Sequence, residues 1–312
     1  IMQVFLKATH FDFIGRRKPA IYASLFLIGV SLVSLFTQGL NFGIDFAGGT
    51  LIQVRFEKPM DLAPVRQAIA PLDLGDTVVQ SFGTPEEVLI RVEKQGADNA
   101  AQQAIVSGVL DALKPIAGEH GVEMRRVEYV GPQVGEELTE KGMLAMLYAM
   151  VAILIYISFR FELRFALGAV LALVHDVVLT MGFFSVLQKE FTLVVVAALL
   201  TVVGYSLNDT IVVYDRIREE MKRMKRQPLA TIINEAVNRT LSRTLITSLT
   251  TVLVLIALFV LGGAVIHDFA LTLLFGVGIG TYSSIFVASP LVLLMDPGSR
   301  RKVAAETAEE TP

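Results

Sequence analysis

The sequence predicts a membrane protein with six transmembrane α-helices and one α+β, ferredoxin-like domain outside the membrane. Three observations predict it. Hydrophobic residues make up 53% of the 312, against about 45–50% in soluble domains, and mean hydropathy is +0.59. That excess is concentrated in six runs, each near the ~20 apolar residues a bilayer requires. One long polar interval, 40–140, separates the first run from the other five. It alternates strand-like and helix-like segments as a folded soluble domain does.

The first span is Pro19–Phe36, reaching to about residue 39. It follows Arg16, Arg17 and Lys18 and is long enough to cross, so it reads as a span and not as a cleaved leader. The outer interval opens with a β-branched strand near Leu51–Phe56, then a helix near Leu62–Ala70. Strands follow near Thr77–Ser81 and Val88–Val92, then a helix about Asp98–Ala117 and a strand about Val122–Val130. The order β-α-β-β-α-β is that of a ferredoxin-like unit. The remaining spans are Gly142–Phe159, Phe165–Leu187, Thr192–Tyr214, Leu245–Gly263 and Phe269–Met295. The last is longer than needed and is expected to tilt, or to break near Pro290.

Basic residues set the expected orientation. Residues 1–18 carry Lys7, Arg16, Arg17 and Lys18, and Arg160 and Arg164 lie between the second and third spans. Segment 215–243, read as a basic loop, holds eight basic and four acidic residues. Arg300, Arg301 and Lys302 open the tail, 297–312. The short loops at Lys189 and at His267–Asp268 are nearly free of basic charge, and interval 40–140 holds sixteen acidic and eight basic residues. Both termini are therefore expected in the cytoplasm, with 40–140 outside and 141–296 forming the other five spans. A net charge of −3 gives no reason to expect nucleic acid. The absence of cysteine excludes disulfides, thiol catalysis and thiolate metal sites. No cofactor, metal or enzymatic activity is expected.

Chemistry concentrates in the spans. Asp209 lies about 9 Å deeper than the interfacial Asp215 at helical rise, and an acid there costs roughly 2.5–3.5 kcal/mol on insertion scales. It reads as a titratable group in a polar seam, or as a packing carboxylate bonded to a hydroxyl. Tyr205 lies one turn above on its face, and Asn208 precedes it. Arg243 enters the next, antiparallel span on the side of Asp209, so it either pairs with that acid or snorkels to the interface. Thr247 and Thr251 add hydroxyls further in. His175 and Asp176 lie near the middle of the third span, as a titrating pair or as a satisfied contact. Asp176 with Asp209 also raises the alternative of an intramembrane aspartyl protease, although the Gly-x-Gly-Asp pattern of such enzymes is absent.

Gly276, Gly280 and Ser284 repeat every four residues, a ridge for close helix packing. Gly43, Asp45, Gly48 and Gly49 at the exit of the first span, and Gly131 and Pro132 at the return to the second, read as junctions or hinges between membrane and domain.

These motifs together resemble the SecD/SecF family of bacterial protein-export subunits, within the resistance–nodulation–division superfamily. The matching segments are Gly43–Thr50, Gly131–Gly135, His175-Asp176, Gly204–Glu219 and Ser242–Thr251. The resemblance runs over about residues 11–297, on the side of the smaller, SecF-type members. It implies a multi-pass inner-membrane subunit that works with SecD and uses the proton-motive force to promote late steps of preprotein translocation. The proton-sensing acid falls on Asp209 and its basic partner on Arg243. The implied partners are SecD, the SecYEG translocon, YajC, YidC and the translocating preprotein, with 40–140 periplasmic. A proton-coupled small-molecule exporter of the same superfamily is the alternative. Against it, the outer domain is single and small.

Overall fold

A computed structural model describes residues 9–94, 96, 99–118 and 121–296. The predicted tail 297–312 and part of segment 1–18 lie outside the described residues. Two compact units emerge, one comprising residues 42–144 with 190–193 and the other the remaining helices.

In chain order the elements begin with α1 (Arg17–Thr37), β1 (Asn41–Phe42), α2 (Ile44–Ala47), β2 (Gly49–Phe56) and α3 (Leu62–Ile69). Then come β3 (Thr77–Phe82), β4 (Thr84–Val92), α4 (Asn99–Ala117) and β5 (Val122–Val130). The long helices are α5 (Pro132–Arg160), α6 (Leu163–Leu187), α7 (Leu193–Arg223), which follows β6 (Glu190–Phe191), and α8 (Leu229–Leu261). The chain closes with α9 (Gly263–Ser283), a π-turn at Ser284–Ala288 and α10 (Ser289–Leu294). Six helices among the described residues are long and apolar enough to cross a membrane.

In the outer unit the antiparallel sheet has order β3-β4-β2-β5, the arrangement a split βαβ unit gives when its two halves interleave. Alternation along the strands puts Ile52, Val54 and Phe56 of β2 and Val88, Ile90 and Val92 of β4 on one face. They are buried with Val65 and Ile69 of α3 and Val109 and Leu113 of α4. Three short elements were not read from the sequence: α2 and the β1–β6 pair. They build a compact junction. Gly43 N–H donates to Phe191 O (2.9 Å), and Asp45 Oδ2 accepts from the N–H of Leu193 (2.9 Å), first residue of α7. Gly48 and Gly49 take φ of +70° and +116°, a region side chains avoid. A Cβ on Gly49 would also meet Val92 O at 2.6 Å. Gly135, in the first turn of α5, approaches so closely that a Cβ would lie 2.8 Å from Phe46 O. The glycine-rich segments, read from the sequence as junctions or hinges, therefore permit tight packing.

The helical unit differs from expectation at the charged interval 215–243. It is not a loop. Helices α7 and α8 run through it, and only residues 224–228 are non-helical. The reason is a continued apolar stripe: Ile217, Ile233, Ala236 and Val237 are fully buried. The charge is neutralised locally, since buried Glu220 forms ion pairs with Arg216 (3.0 Å), Arg223 (2.9 Å) and Arg239 (3.2 Å). Nearby, Asn234 and Asn238 hold the chain before α1. Asn234 Oδ1 accepts from Phe13 N (2.8 Å), and Asn238 Oδ1 from Phe11 N (2.9 Å).

Packing within the bundle relies on small residues. The only buried residues of α1 are Ser24, Ser31 and Ser34. Ser34 and Ser185 of α6 share a hydrogen bond of 2.8 Å, and a Cβ on Gly182 would lie 2.2 Å from Ser31. Gly276 and Gly280 of α9 do the same against α7: added Cβ atoms would meet Val202 at 2.2 Å and Ser206 at 2.9 Å. The last span changes pitch one turn before Pro290. Proline has no N–H to give to the carbonyl four residues back, and the helix answers with the π-turn. Its freed carbonyls find side chains, Ser289 Oγ donating to Ser284 O (2.8 Å) and Tyr214 OH to Ala288 O (3.1 Å).

Candidate functional site

Two buried carboxylates, Asp176 on α6 and Asp209 on α7, converge on adjacent serines where α9 meets the π-turn. Asp209 is 9% exposed. Its Oδ1 accepts from Thr244 Oγ1 of α8 (2.8 Å) and its Oδ2 from Ser284 Oγ (2.5 Å). Asp176 is fully buried. Its Oδ2 accepts from Ser206 Oγ of α7 (2.5 Å) and Ser283 Oγ (2.7 Å), and its Oδ1 faces His175 Nδ1 at 2.8 Å. Ser206 and Asp209 are three residues apart and so share a face of α7.

The close α7–α9 approach makes this possible. Gly276 and Gly280 let α9 lie against Val202 and Ser206, bringing Ser283 and Ser284 within reach of both acids. A carboxylate in this setting is stabilised by charge-assisted hydrogen bonds. Both serines also have a second acceptor: Ser284 Oγ is 3.0 Å from Thr281 O, and Ser283 Oγ 3.2 Å from Gly280 O. A hydroxyl has one proton to give. Each serine can therefore donate to its acid or turn back to its own helix.

The expected Asp209–Arg243 ion pair is not formed. Arg243 is exposed and makes no salt bridge among the described residues. Its successor Thr244 is the residue that faces α7, and one helical step turns Arg243 away by about 100°. Asn208 and Thr247 are likewise exposed, and Thr247 Oγ1 is bonded to its own helix at Arg243 O (2.8 Å). Tyr205 belongs to a neighbouring chain of hydroxyls, donating to Ser248 (3.3 Å), which contacts Thr281 (2.7 Å). The structure thus brings together Asp209, His175, Asp176 and Ser284 of the predicted residues. Arg243, Asn208 and Thr247 are each exposed and make no hydrogen bond to that cluster among the described residues. Gly43, Asp45, Gly48, Gly49, Gly131 and Pro132 belong to the outer unit, where Gly131 precedes α5 and Pro132 opens it. No metal-binding cluster of His, Asp and Glu occurs among the described residues.

The sequence did not reveal Thr244 and Ser283, nor that Ser206 serves Asp176, because hydroxyls on apolar helices usually bond their own backbone. One signal was available: each of Ser206 and Thr244 stands within one turn of a charged residue inside a span.

The fold and site define a class: polytopic membrane proteins with an outer ferredoxin-like unit and acids buried in the bundle. The family model described as "Protein export membrane protein SecD/SecF, C-terminal" matches residues 110–297, and the "SecD/SecF GG Motif" matches residues 33–60. The chain is 50% identical over 293 residues to the protein translocase subunit SecF of Vibrio alginolyticus, covering 94% of this chain and 92% of that one. It is 49% identical to that of Calditerrivibrio nitroreducens, covering 94% and 97%. Among solved structures it resembles SecDF of Thermus thermophilus (TM-score 0.83, 36% identity), covering 92% of this chain and 38% of that one. SecDF in a super-membrane-facing form also matches (TM-score 0.70, 37% identity, 97% and 41%). The chain thus spans well under half of those SecDF chains. The chain belongs to the SecD/SecF family, and it is a multi-pass bacterial inner-membrane protein.

Proposed function

We propose that the chain couples proton entry at Asp209 to a late step of preprotein export. That it is a subunit of the Sec protein-export machinery follows from its family. The single observation that carries the coupling is Asp209, buried in a span and hydrogen-bonded by the hydroxyls of Thr244 and Ser284. As a carboxylate it takes donors from α8 and from the π-turn at once. A proton on either oxygen turns that oxygen into a donor, and the facing hydroxyl must then accept. Ser284 has Thr281 O ready for its own proton, so protonation loosens the tie between α7 and the π-turn without orphaning a polar group.

Helix α7 is continuous from Leu193 to Arg223, and Leu193 N–H is held by Asp45. In this proposal a shift of α7 is passed to the outer unit through that contact and the Gly43–Gly49 junction. The exposure of Arg243, Asn208 and Thr247 supports a partner. Inside a bilayer a cation so placed requires a counter-charge or a wet seam. SecD is the proposed source, with SecYEG as the channel served and YajC and YidC as further neighbours. The proposed orientation has both termini in the cytoplasm and the sheet unit in the periplasm. Neither alternative is favoured: the relatives are translocase subunits, and Asp176 and Asp209 hold separate sets of donors, unlike a proton-sharing dyad.

The test is Asp209→Asn in inverted membranes. The variant keeps normal abundance and partner binding, and export loses its dependence on the proton gradient. Gradient-driven export by the Asn protein at wild-type rate sinks the proposal. Arg243→Lys tests the second charge: full activity shows that planar pairing geometry is dispensable.

A further inference from the structure

We infer that His175 and Asp176 form a second proton-binding site, loaded at His175 Nε2. The inference rests on the proton-coupled reading above and deepens it. Three observations carry it. His175 Nε2 is buried and has no hydrogen-bond partner among the described residues, and His175 is only 4% exposed. The ring borders a cavity of about 270 Å³ between α1, α6 and the π-turn, walled by Ile21, Leu25, Leu171, Phe286 and Pro290 and with Ser24 as a polar neighbour. Asp176 beside it is fully buried and carries three contacts of 2.8 Å or less.

A buried polar atom without a partner is costly, so the orphan nitrogen is a place for a proton. The tautomer follows from the neighbours. Nδ1 faces a carboxylate oxygen and carries the hydrogen, which leaves the Nε2 lone pair open. A proton arriving at Nε2 makes an imidazolium, and the pair passes from net −1 to net zero. No bond other than N–H forms.

The groups around the pair are few. Tyr282 of α9 stacks on the ring at 6.3 Å, and its hydroxyl donates to Ala20 O (2.9 Å). Helix α7 contributes Ser206 and, one turn on, Asp209. Among the described residues α1 and α10 present no charged group to the cavity. The charged groups nearest the site are therefore Asp176 first and Asp209 second. Its link to Asp209 is the Ser283–Ser284 dipeptide, one serine for each acid. Neutralising the His175–Asp176 pair weakens the pull on Ser283, which has Gly280 O as its alternative acceptor. The π-turn then reads two protons.

The test uses the complex with its partner subunit in liposomes, with ¹⁵N-labelled histidine, read by solid-state NMR. One histidine signal is expected to pass from the Nδ1–H tautomer to imidazolium as the pH is lowered. It vanishes in His175→Gln and shifts in Asp176→Asn. Should the Asn variant fail to accumulate, Ser283→Ala replaces it, since it removes one donor to Asp176 and keeps the charge. A His175 signal that stays neutral as the pH falls overturns the proposal, as does a titration that Ser283→Ala leaves in place. Asp209→Asn export separates the two readings. If it abolishes coupling while His175 never titrates, only the second site falls. If His175 titrates while Asp209→Asn exports normally, the coupling role falls and the proton site stands.

Discussion

Asp209 shows how a few hydroxyls settle what one charge inside a bilayer does. Its two donors come from different helices, Thr244 from α8 and Ser284 from the π-turn. Hydrogen bonds to a charged group contribute about 1.5–3 kcal/mol each, so the pair offsets much of the insertion cost. Removing one donor leaves the carboxylate less well held and loosens its tie to that helix. Ser284→Ala and Thr244→Val are therefore expected to weaken gradient-driven export at normal abundance. Export rate in inverted membranes checks this, and wild-type export by both variants contradicts it. Asp209 itself was legible because a carboxylate among valines and leucines demands explanation. Its partners were not. Arg243 stood out by charge, but one step of helical rotation decides between Arg243 and Thr244, and sequence spacing does not fix the rotation of a helix whose polar residues lie on more than one face.

At the scale of elements, the approach of α9 to α7 governs the site. The glycine ridge was readable from its four-residue period. That its purpose is to seat Ser283 and Ser284 between two acids was not, because the acids stand on two other helices, whose facing sides a four-residue period does not reveal. Gly280→Ala would place a Cβ 2.9 Å from the Cβ of Ser206, the residue that holds Asp176. Overpacking of this kind costs about 1–3 kcal/mol. The expected outcome is a folded but less heat-resistant subunit whose export defect exceeds that of Gly278→Ala, since Gly278 has open space around it. Thermal aggregation and export measured on both variants check it, and equal behaviour refutes the argument. The sheet unit was the easier part. Its strands and helices are marked by alternation and by turns, so the six main elements were legible. The short β1–β6 pair and α2 were not, because they depend on residues about 150 positions apart.

For the whole molecule, the arithmetic of the driving force decides how many protons are needed. One charge crossing 100 mV provides about 2.3 kcal/mol, whereas swinging a two-state equilibrium from 1:99 to 99:1 takes about 5.5 kcal/mol. One acid biases the machine. Two sites on one π-turn come close to switching it, and a pH gradient adds the rest. The same accounting requires that the exposed Arg243 face not meet lipid. The chain contains no cysteine, so a single introduced cysteine reports cleanly on that face. Cysteine replacing Gly204 or Asn208 on α7, or Thr247 on α8, is expected to be shielded from a membrane-permeant maleimide when the partner subunit is co-expressed. Each is expected to react when this chain is expressed alone. Leu253→Cys, which is 59% exposed in a wholly apolar part of α8, serves as the comparison and reports whether the partner covers only the polar stripe. Equal labelling of the three polar-face positions with and without the partner would place that face against lipid. The charge on Arg243 would then have to be met by snorkelling alone.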